Sequence, residues 1–575
     1  MKKFGIFGAA ALIALASCTN DMADAPVNGG VSEGDLYMSM TLRPNVSTGT
    51  RTSTPDQGSE EGQDFENKLS SALIVFATND DKVFSYSLVG ETDFTTDEKG
   101  YMATFAIDRQ TILGDIGEAA EKTYKIYVIG NPSYQIIQNY VKGKDMQYTF
   151  NLDADGSTYW ANNHFMMSNV SGASKTIKKD EIGAGTHVTP SEAYPLGTVE
   201  IQRAMSRIDL SKDNLTFTLG KEDDPASSRA EKYQVQLDFD GVALINQATS
   251  QYLFKVVSKG EAESDGVAPT TLKTEFEEFI KKPFIQFGKE TNLNFVFSPI
   301  QDGFTLPLFG EGDNYYGSKG AATEGILSSK KYDFTKLTYD KISDLNDKDG
   351  NFTLNENDKS EVASEYYRWR YCMENTIFDK DNQVHGNSTG IVFRAKMTGA
   401  MIEGAGGKAV YAYNNVILGN AEQLQAYATG TESTDDPGVF EIVKILYHDS
   451  KENYKSENEN QEPTDLAALD KYLVANNFTI YRPDTDGNYY CYYTYWNRHN
   501  DNLKNTIMWP MEFATVRNNI YKISLNTILR LGHSNTPDDD PDPEDPGTPD
   551  EKDLFYCTVI CKVIPWEVRI NHVDF

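Results

Sequence analysis

Residue types that would point to a metalloenzyme or a membrane-spanning protein are scarce in this chain. Its 575 residues include seven histidines and five cysteines. No two histidines stand roughly three to five residues apart, the spacing that places two zinc ligands on one element. Beyond the N-terminus, no apolar run approaches the roughly 20 residues of a transmembrane helix. We therefore expect no metal, no cofactor and no catalytic centre.

The cysteines are too few and too scattered for a disulfide framework. Apart from Cys18 they are Cys372, Cys491, Cys557 and Cys561. The last two lie in a strand-like run, where their spacing corresponds to about 13 Å, well beyond the reach of a disulfide. We interpret both as small apolar core residues.

Positive charge is also in short supply. The chain has 53 Lys and Arg against 85 Asp and Glu, which gives a formal net charge of -32. Nucleic acids and anionic lipids are negatively charged themselves and are therefore poor partners. The excess of acidic residues indicates a solvated, mutually repulsive surface.

The N-terminus has the pattern of an export signal. Lys2 and Lys3 precede Phe4–Ser17, an uncharged and mostly apolar run of 14 residues that leads into Cys18. This run is too short to span a bilayer, and the small residues before the cysteine suit a lipoprotein signal peptidase. Cys18 is therefore predicted to be the acylated, palmitate-bearing first residue of an outer membrane lipoprotein precursor.

Alternation with period 2 dominates the chain and predicts β-strands. From Leu36 to Leu42 every second residue is apolar, and Tyr521 to Asn526 alternates likewise, with Lys522 on the polar side. The continuous apolar runs at 73–76 and 124–130 predict strands that are covered on both faces.

Helical patterns are few. The clearest runs from Thr464 to Ala475, where three leucines recur at helical spacing behind a Thr464 cap, and a second covers 272–280. The 33 tyrosines and 29 phenylalanines also favour sheets. We predict a mainly β fold of two tandem β-sandwich domains with a few short surface helices.

An acidic, proline-rich spacer lies near the C-terminus. Between Pro537 and Asp553 the chain holds five prolines and nine acidic residues. Such a composition cannot bury a core, and proline stiffness together with charge repulsion should keep it extended.

One strand-like segment, Leu554 to Phe575, follows this spacer. Its apolar residues alternate up to Pro565 and lie on one face: Phe555, Cys557, Val559, Cys561 and Val563. Beyond the proline the apolar positions change parity, at Trp566 and Val568, which predicts a bulge or kink. An isolated strand needs a sheet edge to join. That edge could belong to its own domain or to a neighbouring copy, as in strand complementation.

The acidic segment 345–356 has some features of a calcium loop. Asp347, Asp349 and Glu356 stand at ligand positions, but Leu345 occupies the place of the first carboxylate. We therefore favour a glycine-centred acidic turn without a bound ion.

A cluster of aromatic residues at Tyr489–Trp496 follows the turn Asp484–Gly487. It could form a sugar-binding platform or the core strand of a β-hairpin. Because tyrosines fall on both alternating faces, we favour the core strand.

Several segments occur in the same order in a known family. They are the lipobox at Cys18, the strand 36–42 followed by Arg51, VEIQRAMSRIDL at Val199–Leu210, IVFRAK at Ile391–Lys396, TVRNNIYKISLNTILRL at Thr515–Leu531, the acidic spacer, and VIPWEV at Val563–Val568. In this order they resemble the Bacteroidales fimbrillins, the type V pilins, and in particular the shaft subunit of their short, or minor, fimbriae. The resemblance is slight between about 223 and 388.

The resemblance implies two transthyretin-like β-sandwich domains, cleavage by an arginine-specific protease, and polymerisation when a strand of one subunit fills a groove opened in another. Carried over to this sequence, the cut falls between Arg51 and Thr52, within a polar stretch of the kind that proteases reach. Cleavage would release the strand 36–42, and the groove left behind would attract 554–575. The donor residues implied are Phe555, Cys557, Val559, Cys561, Val563, Trp566 and Val568.

The expected organisation follows from these assignments. It comprises a signal peptide at 1–18, a propeptide at 19–51, an N-terminal sandwich at 52–210, a C-terminal sandwich at 211–533, a spacer at 534–553 and a donor strand at 554–575. The leading hypothesis is a non-enzymatic shaft subunit of an adhesive surface fimbrium. Its partners would be other copies of itself, accessory or anchor subunits and host or bacterial surface receptors. The alternatives are a monomeric glycan-binding lipoprotein and a tip or anchor subunit.

Overall fold

Strands provide most of the regular structure of this chain. The computed structural model describes residues 35–44, 60–62, 64–97, 100–140, 142–146, 149–151, 165–170, 172–219, 233–245, 247–248, 250–259, 274–275, 278, 294–298, 334–346, 366–376, 388–431, 437–499, 511–534 and 557–567. Most of the acidic turn predicted at 345–356 and most of the helix predicted at 272–280 lie outside these residues.

The strands of the N-terminal half are β1 (Asp35–Pro44), β2 (Glu60–Glu61), β3 (Ser71–Ala77), β4 (Val83–Gly90), β5 (Phe94–Asp97), β6 (Gly100–Asp108), β7 (Glu121–Gly130), β8 (Thr149–Asn151), β9 (Met167–Asn169), β10 (Ala173–Lys178), β11 (Tyr194–Arg203), β12 (Ser206–Ser211) and β13 (Thr216–Leu219).

Those of the C-terminal half are β14 (Val235–Ile245), β15 (Ser250–Tyr252), β16 (Val256–Val257), β17 (Val296–Phe297), β18 (Asp340–Lys341), β19 (Tyr366–Cys372), β20 (Gly390–Thr398), β21 (Val410–Tyr413), β22 (Val416–Gly419), β23 (Phe478–Tyr481), β24 (Tyr489–Trp496), β25 (Asn519–Ile528) and β26 (Cys557–Glu567).

The α-helices are α1 (Asp64–Asn67), α2 (Arg109–Ile116), α3 (Tyr134–Asn139), α4 (Ala400–Glu403), α5 (Ala421–Thr429), α6 (Pro437–Glu457) and α7 (Asp470–Ala475). Single turns of 3-10 helix occur at Glu91–Asp93, Pro190–Glu192, Phe334–Lys336, Ile342–Asn346 and Ala467–Leu469. In the described part of the chain, no helix is both long and apolar enough to span a membrane. The predicted mainly β class with short helices is confirmed.

A nine-stranded sheet forms the N-terminal body. Its order is β4-β3-β7-β9-β11-β1-β6-β5, with β10 paired to β7. The Ser87 hydroxyl of β4 donates to the Ala106 carbonyl of β6 at 3.3 Å, so distant strands of the sheet approach each other. The predicted strands at 73–76 and 124–130 are β3 and β7, and every residue of β3 is buried. The sheet thus encloses an apolar core, and β1 lies in its interior.

Two sheets face each other in the C-terminal body. One has the order β19-β12-β25-β26-β2 and the other β13-β14-β20-β24 with β18 on β14. Ile523 of the first sheet and Phe393 of the second belong to the same buried cluster. This arrangement is a β-sandwich. Because β12 pairs with β19 and β25, the first of these sheets contains Ser206–Ser211.

The aromatic segment forms a β-strand whose side chains contribute to the core, as predicted. Strand β24 pairs with β20 along its whole length, and Tyr489, Tyr493 and Trp496 are buried. The expected hairpin is wrong, however, because β23 pairs with β21 in a separate sheet. Both strands pair with segments from earlier in the chain, which a local turn signal cannot reveal.

The long helix α6 was not predicted from the sequence. Its 21 residues carry Phe440, Val443 and Tyr447 at helical spacing, and all three are buried in the core of the sandwich. The predicted helix at 464–475 is shorter than expected, with a 3-10 turn before α7. The side chain that caps this start belongs to Asp465, which accepts a bond from the Ala468 amide at 2.9 Å, rather than to Thr464.

The alternation of β25 predicts that Lys522 lies on an exposed face, but the structure shows that it is buried. It is 2% exposed, and its ammonium lies 5.3 Å from the centre of the Tyr366 ring. Side chains of the same sheet cover this face of β25, among them Tyr366 of β19.

A buried ion pair joins three parts of the C-terminal body. Arg517 Nη2 lies 3.0 Å from Glu374 Oε1, and both side chains are 0% exposed. Arg517 also donates to the carbonyls of Tyr252 and Leu253 at 2.6 and 3.1 Å. A buried guanidinium that loses its carboxylate keeps the cost of desolvation without the compensating attraction.

We predict that Glu374→Gln lowers the free energy of unfolding by about 3–5 kcal/mol, because it leaves a buried cation without a counterion. The exposed Glu441, paired with Lys444 at 2.7 Å, provides a matched control, and Glu441→Gln should cost no more than about 1 kcal/mol. Denaturant unfolding of both variants measures the difference. Equal losses would contradict the assignment.

Candidate functional site

Strand β1, the first described strand, is the central strand of the candidate site. Its alternating side chains Leu36, Met38, Met40 and Leu42 are 0–1% exposed. Burying an aliphatic side chain of this kind contributes roughly 1.5–3 kcal/mol relative to leaving it in water. The predicted apolar face of this segment is therefore confirmed, and it fills part of the N-terminal core.

Strand β1 is also paired on both sides. It runs antiparallel to β6, from Asp35 opposite Asp108 to Leu42 opposite Tyr101. It runs parallel to β11, with a register irregularity between Ser39 and Thr41. If β1 were absent, both neighbouring strands would have unpaired backbone groups beside an apolar floor, which is an unstable arrangement in water. We call this position between β6 and β11 the β1 groove.

A buried arginine closes the end of the β1 groove where β1 begins. The Arg109 guanidinium donates to the carbonyls of Ile182, at 2.9 Å, and Thr186, at 2.6 Å, and this ties helix α2 to the loop before β11. The same group donates to the Asp35 carbonyl at 3.2 Å. Arg109 therefore connects the first residue of β1 to structure that does not depend on β1.

The same loop contacts β1 a second time. The Tyr37 amide donates to the His187 carbonyl at 2.9 Å. The atom of β1 in this bond, the Tyr37 amide, belongs to the backbone, as does the Asp35 carbonyl that Arg109 binds. This end of the groove therefore recognises the position of a strand through main-chain atoms.

Glycine is required where the other end of β1 passes β6. Gly100 has φ +135°, and a Cβ placed there would lie 2.3 Å from the Leu42 carbonyl oxygen. That distance is a severe clash with backbone, so this end of β1 lies flush against the first residue of β6.

The segment that follows the predicted cleavage site is anchored by buried charges. Glu66 is 0% exposed and lies 3.2 Å from Arg207 and 3.8 Å from Arg368. Tyr371 donates to its carboxylate, and Arg203 donates to its carbonyl at 3.0 Å. Burial alone would raise the pKa of Glu66, but the surrounding guanidinium groups outweigh it and hold the pKa below its usual value. Residues near α1 are thus fixed where the two bodies meet.

The last described strand, β26, lies in the sandwich of its own chain. It runs antiparallel to β25, from Cys557 opposite Ile528 to Pro565 opposite Asn519. On its other side, among the described residues, Trp566 and Glu567 pair with the short strand β2. The sequence allowed this strand to join a sheet edge of its own domain or of a neighbouring copy. In the structure it joins the sheet of its own domain.

The bulge expected at Pro565 is not found there. Strand β26 continues through this residue to Glu567, and the register shift lies between Leu525 and Thr527 of its partner strand. Pro565 lies at the end of the β25 pairing, where a missing N–H disturbs the ladder least.

Several predicted site residues lie outside the described part of the chain. They are Cys18, Arg51, Thr52, Phe555 and Val568. For the other predicted donor residues, which lie in β26, the structure describes the backbone but not the side chains. The structure thus brings together the residues around β1, while lipidation, the cut and the donor contacts remain predictions. The contacts made by Arg109 and Gly100 were missed, because an arginine and a glycine at strand ends carry no distinctive sequence signal.

The fold, with β1 as an interior strand, defines a mainly β protein. Residues 487–572 match the family model for the major fimbrial subunit protein type IV, fimbrillin, C-terminal. The predicted resemblance to the fimbrillins is thereby confirmed for these residues. The match does not separate a shaft subunit from a tip subunit. A search of curated proteins finds no match.

Solved structures of similar arrangement include two from Porphyromonas gingivalis. A fimbrilin is 14% identical, with a TM-score of 0.36, over 93% of this chain and 98% of that one. A C-terminally truncated tip fimbrial protein is 10% identical, with a TM-score of 0.32, over 92% of this chain and 100% of the other.

We predict that Gly100→Ala destabilises the docking of β1 and lowers the free energy of unfolding by about 1–3 kcal/mol. Gly487→Ala is the matched control, because Gly487 also has a positive φ, +81°, but has open space around its Cβ position and lies between β23 and β24, outside the β1 groove. Denaturant unfolding measures the total loss, and hydrogen exchange at 40–42 shows whether β1 loosens. If both variants lose equal stability and β1 exchanges alike, the close contact at Leu42 has no effect.

Proposed function

We propose that this protein is the shaft subunit of an adhesive bacterial fimbrium and polymerises by donor-strand exchange. A protease cuts the exported lipoprotein precursor between Arg51 and Thr52, β1 leaves, and the C-terminal strand of a neighbouring copy enters the β1 groove. The observation that carries this proposal is the position of β1: the first described strand is an interior strand whose apolar face is fully buried.

Covalent connection explains why a cut would be needed. While β1 belongs to the same chain as β2 and β3, it competes for the groove at the high effective concentration of an intramolecular partner. Cleavage removes this advantage, since the released segment can diffuse away. The core around Glu66 keeps the following residues in place, because its carboxylate is buried among three arginines. Cleavage at Arg51 would therefore free the segment before the cut and leave the segment after it anchored.

The C-terminal strand suits the role of donor. Strand β26 has 11 residues and β1 has 10, so it could pair along the whole groove. Within the described part of the chain, β26 is paired along its length with β25 and at two residues with β2, whereas β1 has long partners on both sides. Detaching β26 therefore breaks fewer ladder contacts than detaching β1.

The acidic spacer gives the donor strand its reach. The segment from Pro537 to Asp553 has 17 residues, and at about 3.1 Å per residue in an extended proline-rich conformation it would cover roughly 50 Å. That distance is comparable to the diameter of a domain. The strand could thus reach a second molecule while it remains attached to the first.

The assembled fibre defines the partners and the location. Other copies of this chain form the shaft, accessory and anchor subunits complete it, and host or bacterial surface receptors bind it. Lipidation at Cys18 would hold the precursor at the outer membrane until an arginine-specific protease acts. A tip subunit would have no further copy to bind, so a donor segment at the C-terminus favours the shaft.

The monomeric glycan-binding alternative is weaker. It requires the aromatic cluster on β24 to face solvent, but Tyr489, Tyr492, Tyr493 and Trp496 are at most 5% exposed. Tyr490 is only half-buried, yet its ring stacks on the Arg394 guanidinium at 4.7 Å. The cluster thus serves the packing of the sandwich.

Treating the purified precursor with an arginine-specific protease tests the proposal. The product should begin at Thr52 and form oligomers that persist in detergent, because strand exchange buries an apolar face and completes two ladders. A variant that ends at Asp553 is the matched control, and it should be cleaved without forming the ladder. If both proteins stay monomeric after cleavage, the shaft assignment fails and a monomeric surface lipoprotein becomes the better account.

A further inference from the structure

We infer that the C-terminal strand enters the β1 groove in one defined register, with Cys557 at the position of Leu36 and Pro565 at the position of Pro44. The donor strand then has the orientation of β1, antiparallel to β6 and parallel to β11. This inference rests on the proposed strand exchange and adds the alignment by which one copy recognises the next.

The two strands match over nine residues. The sequence of Leu36–Pro44 is LYMSMTLRP and that of Cys557–Pro565 is CTVICKVIP. In this alignment Cys557, Val559, Cys561 and Val563 take the places of the four buried residues of β1, and both segments end on proline. A donor aligned in this way presents an apolar residue at every buried position.

A shift by one residue is excluded by the alternation of the strand. It would turn Thr558 toward the floor at the position of Leu36 or Met38. It would turn Lys562 toward the floor at the position of Met40 or Leu42, which are 1% and 0% exposed. A charge placed there would be removed from water without a defined partner, which strongly disfavours this register.

The proline opposes a shift by two residues toward the closed end. That shift would place Pro565 at Leu42, which pairs with Tyr101 on one side and Val199 on the other. Proline has no N–H and would remove a ladder bond from an interior strand. At the position of Pro44 the strand already lacks that donor.

A large side chain opposes a shift by two residues in the other direction. That shift would move Phe555 to the Leu36 position, which is 0% exposed and lies beside the end that Arg109 closes. A side chain larger than the space it enters forces its neighbours to shift, and this lowers stability. The proposed register instead places the smaller Cys557 there.

The fixed contacts at the closed end suit this register. Arg109 and the His187 carbonyl bind β1 through the Asp35 carbonyl and the Tyr37 amide only. In the proposed register Tyr556 and Thr558 bring their own carbonyl and amide to these two points. Any non-proline residues can make such bonds, so the change of sequence costs nothing at this end.

The sizes of the exchanged residues give a reason for the order of events. Cys, Val, Cys and Val would replace Leu, Met, Met and Leu, so each donor side chain is smaller than the one it displaces. The donor therefore fills the groove less completely than β1 does, and unfilled volume lowers stability. Exchange in this register proceeds only when β1 is no longer tethered.

Disulfide trapping tests the register. Met40 lies opposite Ala103, so in the proposed register Cys561 of one copy lies opposite residue 103 of the next. Directly opposed strand residues have Cβ atoms about 4.5–5.5 Å apart and diagonal ones lie farther away, so only the opposed pair can form a disulfide readily. We would make Tyr101→Cys, Ala103→Cys and Phe105→Cys separately in full-length precursor carrying Cys557→Ser, cleave each protein and oxidise it.

The expected result is a covalent ladder with Ala103→Cys that reduction abolishes, and no such ladder at 101 or 105. Trapping at 101 or 105 instead would overturn this register while strand exchange stands. Polymers that form without trapping at any of the three positions would overturn it as well. If no polymer forms even without added cysteines, the proposed function itself fails.

A second cysteine pair tests the same register if the Ala103→Cys variant does not fold. Leu36 lies opposite Ile107, so Ile107→Cys should trap Cys557 when Cys561→Ser is present. A matched chain with both Cys557→Ser and Cys561→Ser should polymerise without covalent links. Absence of trapping at 107 in a folded, polymerising chain contradicts the register.

Discussion

The position between β6 and β11 has to be filled by a strand. Both flanking strands would otherwise leave backbone donors and acceptors unpaired, and the apolar floor beneath Leu36 to Leu42 would face water. A buried polar group without a partner costs about 1–3 kcal/mol, and a groove of this length contains several. An empty groove is therefore a high-energy state, and whichever strand is available will be held there firmly.

The remaining features of the structure follow from how the two candidate strands are held. Strand β1 has ladders on both sides, an arginine at its first residue and a glycine contact at its far end. Strand β26 has one full ladder and a two-residue bridge to β2. Around them, Glu66 and its arginines fix the junction of the two bodies. The structure thus holds β1 by more backbone pairs than β26, and the buried charges around Glu66 fix the residues between the two bodies.

The sequence predicted the mainly β class, the buried face of β1 and the strand character of 73–76, 124–130 and 489–496, because period-2 alternation and apolar runs are local signals. It failed where partners come from distant parts of the chain. Nothing local shows that β23 and β24 pair with different strands, or that the ring of Tyr366 in β19 lies over Lys522, which is buried. The helix α6 did carry a readable helical pattern, at Phe440, Val443 and Tyr447, that the strand-rich context obscured. The resemblance to the fimbrillins, carried by short segments in order, was confirmed for the C-terminal region.

Hydrogen exchange in the groove tests the central claim most directly. The amides of 103–107 in β6 and 199–201 in β11 should be protected in the precursor, exposed in a cleaved monomer that ends at Asp553, and protected again when a donor-bearing copy is added. Such a cycle would show that the same position is filled first by β1 and then by a strand of another molecule. Continued protection in the cleaved monomer, or no recovery on adding the donor, would contradict the account.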